Sequence, residues 1–322
     1  MSQIESPLQL QVVVSPSVDV AIGGTFSPTT ATIIAGPTEA VLVDTLYTPD
    51  DVERLGTAIE ATGKRLTTIY ITHAHFDHYA GLGALLERFP QARGVALAPV
   101  AQLVRENLEA DMATTDVLLP GKVVAVSELP EALEGETITL DGHELHAIEV
   151  GQADIAHSTV LHVPVIDAVV AGDVVYNGVH QMLGLTGPDD WKRWIESVDK
   201  VEALKPSVVV AGHKRADRSD DDVPAILDGT REYIVAFLDE FADAEDAETL
   251  VARMSERFPD RINIATLQFS AAAVIEQRTR PRHLSPPHEP SGDGNQASPV
   301  AGRPSDDPLP RRCRCPGVRA PA

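Results

Sequence analysis

Apolar and polar positions alternate in short runs over the first 45 residues. Positions 8–14, 18–22, 30–34 and 40–43 are rich in β-branched residues and separated by turn formers, which predicts strands of an antiparallel or mixed sheet. From Pro49 the apolar spacing lengthens. Pro49 is followed by Asp50 and Asp51, a helix start with acidic residues in its first turn, and Gly63 marks its end. A strand at 66–72, a helix at 79–89, a strand at 93–98 and a helix at 99–108 come next. A second set of strands is predicted at 123–126, 136–140, 144–150, 158–163 and 168–171, then a helix at 189–204 and a strand at 207–211. Helices near 224–242 and 244–258 complete the ordered part. The order sheet, helix, strand thus occurs twice, which implies a layered α/β architecture: two sheets packed together with helices on both outer faces. Ile226, Tyr233, Phe237 and Phe241 make one apolar stripe, which suits core packing, a cover over a site, or a homodimer contact.

Beyond residue 276 the pattern stops. Residues 277–322 hold 10 of the 24 prolines and no apolar period, so the chain divides into an ordered domain, 1–276, and a Pro/Arg-rich disordered tail. His283, His288, Cys313 and Cys315 lie in that tail, where two cysteines cannot complete a tetrahedral metal shell.

Composition narrows the function classes. The chain has 26 Lys and Arg against 48 Asp and Glu, a net charge of −22. The tail is basic, so the body is the acidic part, and such a surface repels polyphosphates. Nucleic acid is therefore a poor partner, and a small molecule is the expected substrate. No apolar run reaches membrane-spanning length, and the first residues, MSQIESPLQLQVVV, lack a basic stretch followed by an apolar one. No membrane association and a cytoplasmic location are expected. Both cysteines are in the tail, so a metal bound by the body must take nitrogen and oxygen ligands.

Residues 72–78 read THAHFDH directly after a predicted strand. His73 and His75 leave the strand end two residues apart, so both imidazoles can point to one side. Asp77 and His78 enter the first turn of the next helix and can face an adjacent point. Imidazole with carboxylate suits Zn(II), Fe(II) or Mn(II). Two further strands end in candidate ligands: Val169-Val-Ala-Gly-Asp173 and Val208-Val-Val-Ala-Gly-His213. The HELH stretch at His143 and His146 reads instead as the solvated edge of a hairpin, and His162 as structural.

With these residues together, the sequence resembles the metallo-β-lactamase-fold hydrolases over roughly residues 10–215, including Val41-Leu-Val-Asp44-Thr45. The resemblance implies a four-layer αββα sandwich and a binuclear centre, with zinc the first expectation for both ions. His73 and His75 would hold one ion, Asp77, His78 and His213 the other, and Asp173 would bridge them around a hydroxide. Asp44 would stand just behind the ligands. The family usually supplies a further histidine in a Gly-His-Thr segment. This chain has Gly151-Gln-Ala-Asp154-Ile-Ala-His157, which offers Asp154 or His157 in its place.

The activity implied is hydrolysis of a small ester, lactone, thioester or lactam by the metal-held hydroxide. Asp77 could also shuttle a proton to the leaving group. Tyr176 and His180, just past the bridging aspartate, are candidates to contact substrate or oxyanion. Two alternatives stand beside hydrolysis: an iron-dependent oxidoreductase of the sulfur-dioxygenase kind, and a non-catalytic binding protein whose metal site has drifted.

Overall fold

The computed structural model describes residues 7–279. The first half runs β1 (Gln9–Val14), a small hairpin of β2 (Val18–Asp19) and β3 (Thr25–Phe26), β4 (Thr30–Ala35), β5 (Glu39–Val43), α1 (Pro49–Ala61), β6 (Arg65–Tyr70), α2 (Phe76–Tyr79), α3 (Leu82–Arg88), β7 (Arg93–Ala96) and α4 (Ala98–Leu118). The second runs β8 (Glu131–Ala132), β9 (Thr137–Leu140), β10 (His143–Gly151), β11 (Ser158–Val163), β12 (Ala168–Asn177), α5 (Pro188–Ala203), β13 (Val208–Lys214), α6 (Val223–Asp243), α7 (Ala247–Arg257) and α8 (Ile264–Thr279). Two mixed sheets result, in the orders β1-β4-β5-β6-β7-β8 and β13-β12-β11-β10-β9.

Three apolar cores separate the four layers, and the period of two along each strand decides which residue enters which. Val41 and Val43 of β5 face inward and meet Leu145, Leu161 and Val170 of the other sheet. Ala40 and Leu42, on the opposite face, pack with Leu55 and Ile59 of α1 and Leu85 of α3. The outer face of the second sheet packs against Trp191, Trp194 and Val198 of α5 and Ile226, Tyr233 and Phe237 of α6. Each fully buried aliphatic side chain among these contributes about 1.5–3 kcal/mol. The αββα sandwich expected from the sequence is the observed architecture, and the apolar stripe of α6 is spent on the core.

Several predicted elements differ. Residues 123–126 form no strand: Val123, Val124 and Val126 pack on the outer core from an irregular segment, and the Val124 amide bonds the Tyr47 carbonyl. The helix predicted at 79–89 is two helices broken at Gly81, where any Cβ would strike the Thr45 carbonyl oxygen at 2.7 Å. The strand predicted at 18–22 ends at Asp19, and the helix predicted at 99–108 continues to Leu118. HELH is not an edge: β10 pairs with β9 on one side and β11 on the other, and His146 lies opposite His162. The ordered part does not finish with the helix near 258, because α8 follows and runs past residue 276 to Thr279. The tail residues His283, His288, Cys313 and Cys315 lie outside the described residues.

Two glycines let the sheets close on the site. Gly172 (φ +50°) interrupts the pairing of β12 with β13, and a Cβ on it would lie 2.7 Å from the Thr72 hydroxyl of the opposite sheet. A Cβ on Gly212 would lie 2.6 Å from the Gly172 carbonyl carbon and would collide with the Asp173 carboxylate. These are the glycines of the Gly-Asp and Gly-His pairs; the first, expected at a strand end, lies inside β12, which continues to Asn177.

Candidate metal centre

Seven polar side chains converge at the carboxyl ends of the central strands. His73 and His75 follow β6, Asp77 and His78 lie on the short α2, Asp154 follows β10, and Asp173 and His213 stand in β12 and β13. Their potential ligand atoms form two groups, His73–His75–Asp154–Asp173 and Asp77–His78–His213, each within 4.8 Å. Asp173 touches both groups. Its oxygens lie 3.2 Å from His78 Nε2, 3.1 Å from His213 Nε2 and 3.8 Å from His73 Nε2. Asp77 lies 3.3 Å from His78 Nε2 and 3.4 Å from His213 Nε2, and His75 Nδ1 is 3.0 Å from Asp154. His75, at 18% side-chain exposure, is the most open of the seven.

Partners behind the imidazoles fix their tautomers. His78 Nδ1 donates to Asp44 at 2.9 Å, and His213 Nδ1 donates to the Pro28 carbonyl at 3.0 Å. The Thr72 hydroxyl must donate to the Asp44 carboxylate, 2.9 Å away, so it accepts from His73 Nδ1 at 3.0 Å. All three rings therefore keep their Nδ1 proton on the outer partner and turn Nε2 toward the carboxylates, the atom that a metal-binding histidine offers when an ion displaces its proton. Thr29 donates to Asp77 at 3.0 Å and orients it. Thr159 of the second sheet donates its backbone N–H to the Thr72 carbonyl at 3.1 Å and so anchors the start of the histidine segment.

The electrostatics call for positive charge. Among the described residues, every ion pair of Asp77, Asp154 and Asp173 is with an imidazole. Burial disfavours a charged His78, but Asp77, Asp173 and Asp44 more than offset this and hold its proton affinity well above the ordinary value. His213 is raised in the same way by Asp173 and Asp77. Burial also opposes charge on His75, yet Asp154 pushes it up to about 9. His73 goes the other way, lowered by burial and by the neighbouring His78. Burial would raise Asp173, but His213, His78 and His73 bring it well below the usual carboxylate range, and Asp77 is lowered by His78 and His213. Asp154, which has one imidazole to balance it, is raised by burial to about 6. His73 Nε2, His78 Nε2, Asp154 Oδ1 and Asp173 Oδ1 are buried with no hydrogen-bond partner. Four buried potential ligand atoms without hydrogen-bond partners, converging in one acidic pocket, fit divalent cations that displace the imidazole protons.

The sequence model of the metallo-beta-lactamase superfamily matches residues 24–213, more than half of the chain. The chain belongs to the metallo-beta-lactamase superfamily. Solved structures share this superfamily fold at low identity. A family protein from Thermus thermophilus superposes with TM-score 0.58 at 17% identity, covering 81% of this chain and 90% of its own. A metallo-beta-lactamase from Pontibacter korlensis gives TM-score 0.51 at 21% identity, covering 73% and 97%. The DIM-1 metallo-beta-lactamase, in crystals exposed to ceftazidime, gives 0.53 at 21%, covering 73% and 95%. A comparison with curated proteins finds no match.

Within the superfamily frame, two sequence candidates fall outside the cluster. His157 takes a left-handed conformation (φ +59°), is 48% exposed, and bonds Glu149 through Nδ1. The turn that buries Asp154 throws His157 outward, so Asp154 alone takes the place open between them. His180 is 2% exposed and its Nδ1 is bonded to the Tyr233 hydroxyl at 2.9 Å. Burial and the charge of Arg261 lower it to about 4. It packs under α6 instead of meeting the ligands. Tyr176, in contrast, joins the site. Its hydroxyl donates to Asp173 at 2.7 Å, lies 3.4 Å from Asp154, and its ring stacks on His213 at 5.3 Å. Burial and the two aspartates hold its phenol well above the usual value, so it stays a donor.

Sequence reasoning missed Thr72, Thr29 and the Pro28 carbonyl. Thr72 stands at the head of THAHFDH, where a hydroxyl before a ligand strand end was a readable signal; Thr29 and Pro28 carry none. Also missed was the pair in which the Tyr79 hydroxyl, next to the ligand His78 in the chain, donates to Asp111 of α4 at 2.7 Å.

Proposed function

We propose that the chain is a cytoplasmic metal-dependent hydrolase that opens a small ester, lactone, thioester or lactam. The observation that carries this reading is the position of Asp173, in contact with imidazoles of both ligand groups and tied to Tyr176. His73, His75, Asp154 and Asp173 would hold one divalent cation, and Asp77, His78 and His213, sharing Asp173, a second. Such a pair supplies Lewis acidity and makes water acidic near neutral pH.

The chain's own residues do the rest. Asp44 and Thr72 hold His78 and His73 in the tautomer that presents Nε2 inward, so no reorganisation is required when the substrate arrives. Tyr176 places a protonated phenol beside Asp173, where it can donate to an oxyanion developing on the substrate carbonyl. Substrate would enter over His75, the most exposed of the seven side chains. The acidic body favours neutral or cationic substrates over polyanions.

The test is turnover of a panel of lactones, thioesters, activated esters and β-lactams by protein stripped of metal and then reloaded. Turnover of at least one class, lost on stripping, on Asp173→Asn and on His73→Ala, supports hydrolysis. A loaded protein inert toward the whole panel refutes it. One observation favours a second reading: two imidazoles with carboxylates at the first position also suit iron, and oxygen uptake by iron-loaded protein separates an oxidoreductase from a hydrolase.

A further inference from the structure

We propose that Asp154 tilts the first position of the centre toward Mn(II) or Fe(II) and away from Zn(II). This rests on the reading above that the cluster holds metal, and goes beyond it by naming the ion and the residue that selects it.

The donor atoms carry the argument. His73 and His75 give the first position two imidazoles, and Asp154 and Asp173 give it two carboxylates. The loop after β10 delivers no third imidazole, because His157 is turned to solvent and bonded to Glu149. Among the described residues no thiolate is available to it either. Exchanging an imidazole for a carboxylate favours harder, oxygen-preferring ions, and two imidazoles with a carboxylate are a recurrent iron(II) set.

Coordination number points the same way. Asp154 Oδ2 faces His75 at 3.0 Å, while Oδ1 is buried without any hydrogen-bond partner. Oδ1 is therefore free to ligate, and Oδ2 can join it once an ion takes the place of the His75 proton. Zn(II) favours four ligands in a tetrahedron, whereas Mn(II) accepts six oxygen-rich ones. A second carboxylate also offsets more of a divalent ion's charge in a pocket where charge is expensive to bury.

Zn(II) binds most nitrogen and oxygen sites more tightly than Mn(II) in absolute terms, so the informative quantity is the Zn:Mn affinity ratio and its change on mutation. The experiment compares full-length wild type, Asp154→His and Asp154→Asn. Metal-free protein is titrated with Mn(II), followed by the free-ion electron paramagnetic resonance signal, and then displaced with Zn(II). Metal content is measured separately on protein made in medium with equal Mn, Fe and Zn. The expected result is a Zn:Mn ratio at least about tenfold higher in Asp154→His, with Mn or Fe in the wild type giving way to Zn. Asp154→Asn, which keeps the shape and removes the charge, should lose more affinity for Mn(II) than for Zn(II). It serves as the test if the histidine variant does not fold. A ratio unchanged within about twofold in folded variants overturns the proposal, as does wild type that carries zinc alone from that medium. Selectivity that follows Asp154 in a protein with no hydrolytic turnover supports this inference while refuting the hydrolase. Failure to bind any divalent ion refutes both.

Discussion

Replacing Asp44 by Asn tests whether the imidazoles are held ready by what lies behind them. The side chain keeps its size, so packing is preserved, but its hydrogen bonding cannot be. Asp44 Oδ2 accepts from the Thr72 hydroxyl at 2.9 Å and from His78 Nδ1 at 2.9 Å, while Oδ1 accepts from the Thr72 amide at 2.9 Å. If the amide nitrogen of Asn takes the Oδ2 place, it confronts His78 Nδ1–H, and the ring must move its proton to Nε2, the atom that faces Asp77 and Asp173. The Thr72 hydroxyl would then accept from the amide and donate to His73, which reverses that ring as well. If the nitrogen takes the Oδ1 place, it opposes the Thr72 N–H, which cannot turn. The first orientation turns both rings into the wrong tautomer for metal, and the second leaves a buried donor facing a donor at a cost of about 1–3 kcal/mol. Loss of such an outer partner typically weakens metal binding by about 10–100-fold. Competition against a chromophoric chelator measures this directly, with circular dichroism confirming the fold. Wild-type affinity at both positions in a folded Asp44→Asn protein would refute the tautomer argument.

Three further outcomes are expected. His180 is held to about 4 by burial and Arg261, below the unfolded value of about 6.5, so its contribution to stability is complete above pH 6.5 and is lost as the pH falls toward 4. Urea titrations at pH 7.5 and 4.5 should show the wild type losing about 2–3 kcal/mol more than His180→Gln, and a pH-independent difference would contradict this burial. Tyr176→Phe should lower kcat about 100–1000-fold on any turned-over substrate, with two equivalents of metal still bound; unchanged kcat would remove the phenol from the reaction. His157→Ala should leave metal content and turnover as in wild type and change stability by no more than about 0.5 kcal/mol, since an exposed pair with Glu149 is worth little, and lost metal would return His157 to the centre.

What could be read from the sequence follows a physical division. THAHFDH follows a regular strand, and Gly-Asp173 and Gly-His213 close apolar strand runs whose direction the sequence shows, and the structure brings those residues together. Asp154 and His157 follow a bulged strand end, where Gly151 (φ +108°) and His157 (φ +59°) redirect the chain and spacing no longer predicts direction. Hence the choice between them stayed open. The alternation of strands and helices exposed the layers because each layer buries one face. Val123, Val124 and Val126 misled because apolar residues packed from an irregular segment look like a strand. Helix α8 was missed because its small residues, Ala271 to Ala273 among them, and a weakly segregated apolar face give little helical period. Thr29 and the Pro28 carbonyl gave no signal because their role is set by a partner far along the chain.

The two ligand groups draw on both sheets, His73 and His75 from the end of one and Asp173 and His213 from the other. During synthesis, the first histidines leave the ribosome long before the strand that ends in His213 exists. A captured ion would then act as a rivet set last, fastening two half-built walls only once the whole sandwich has emerged.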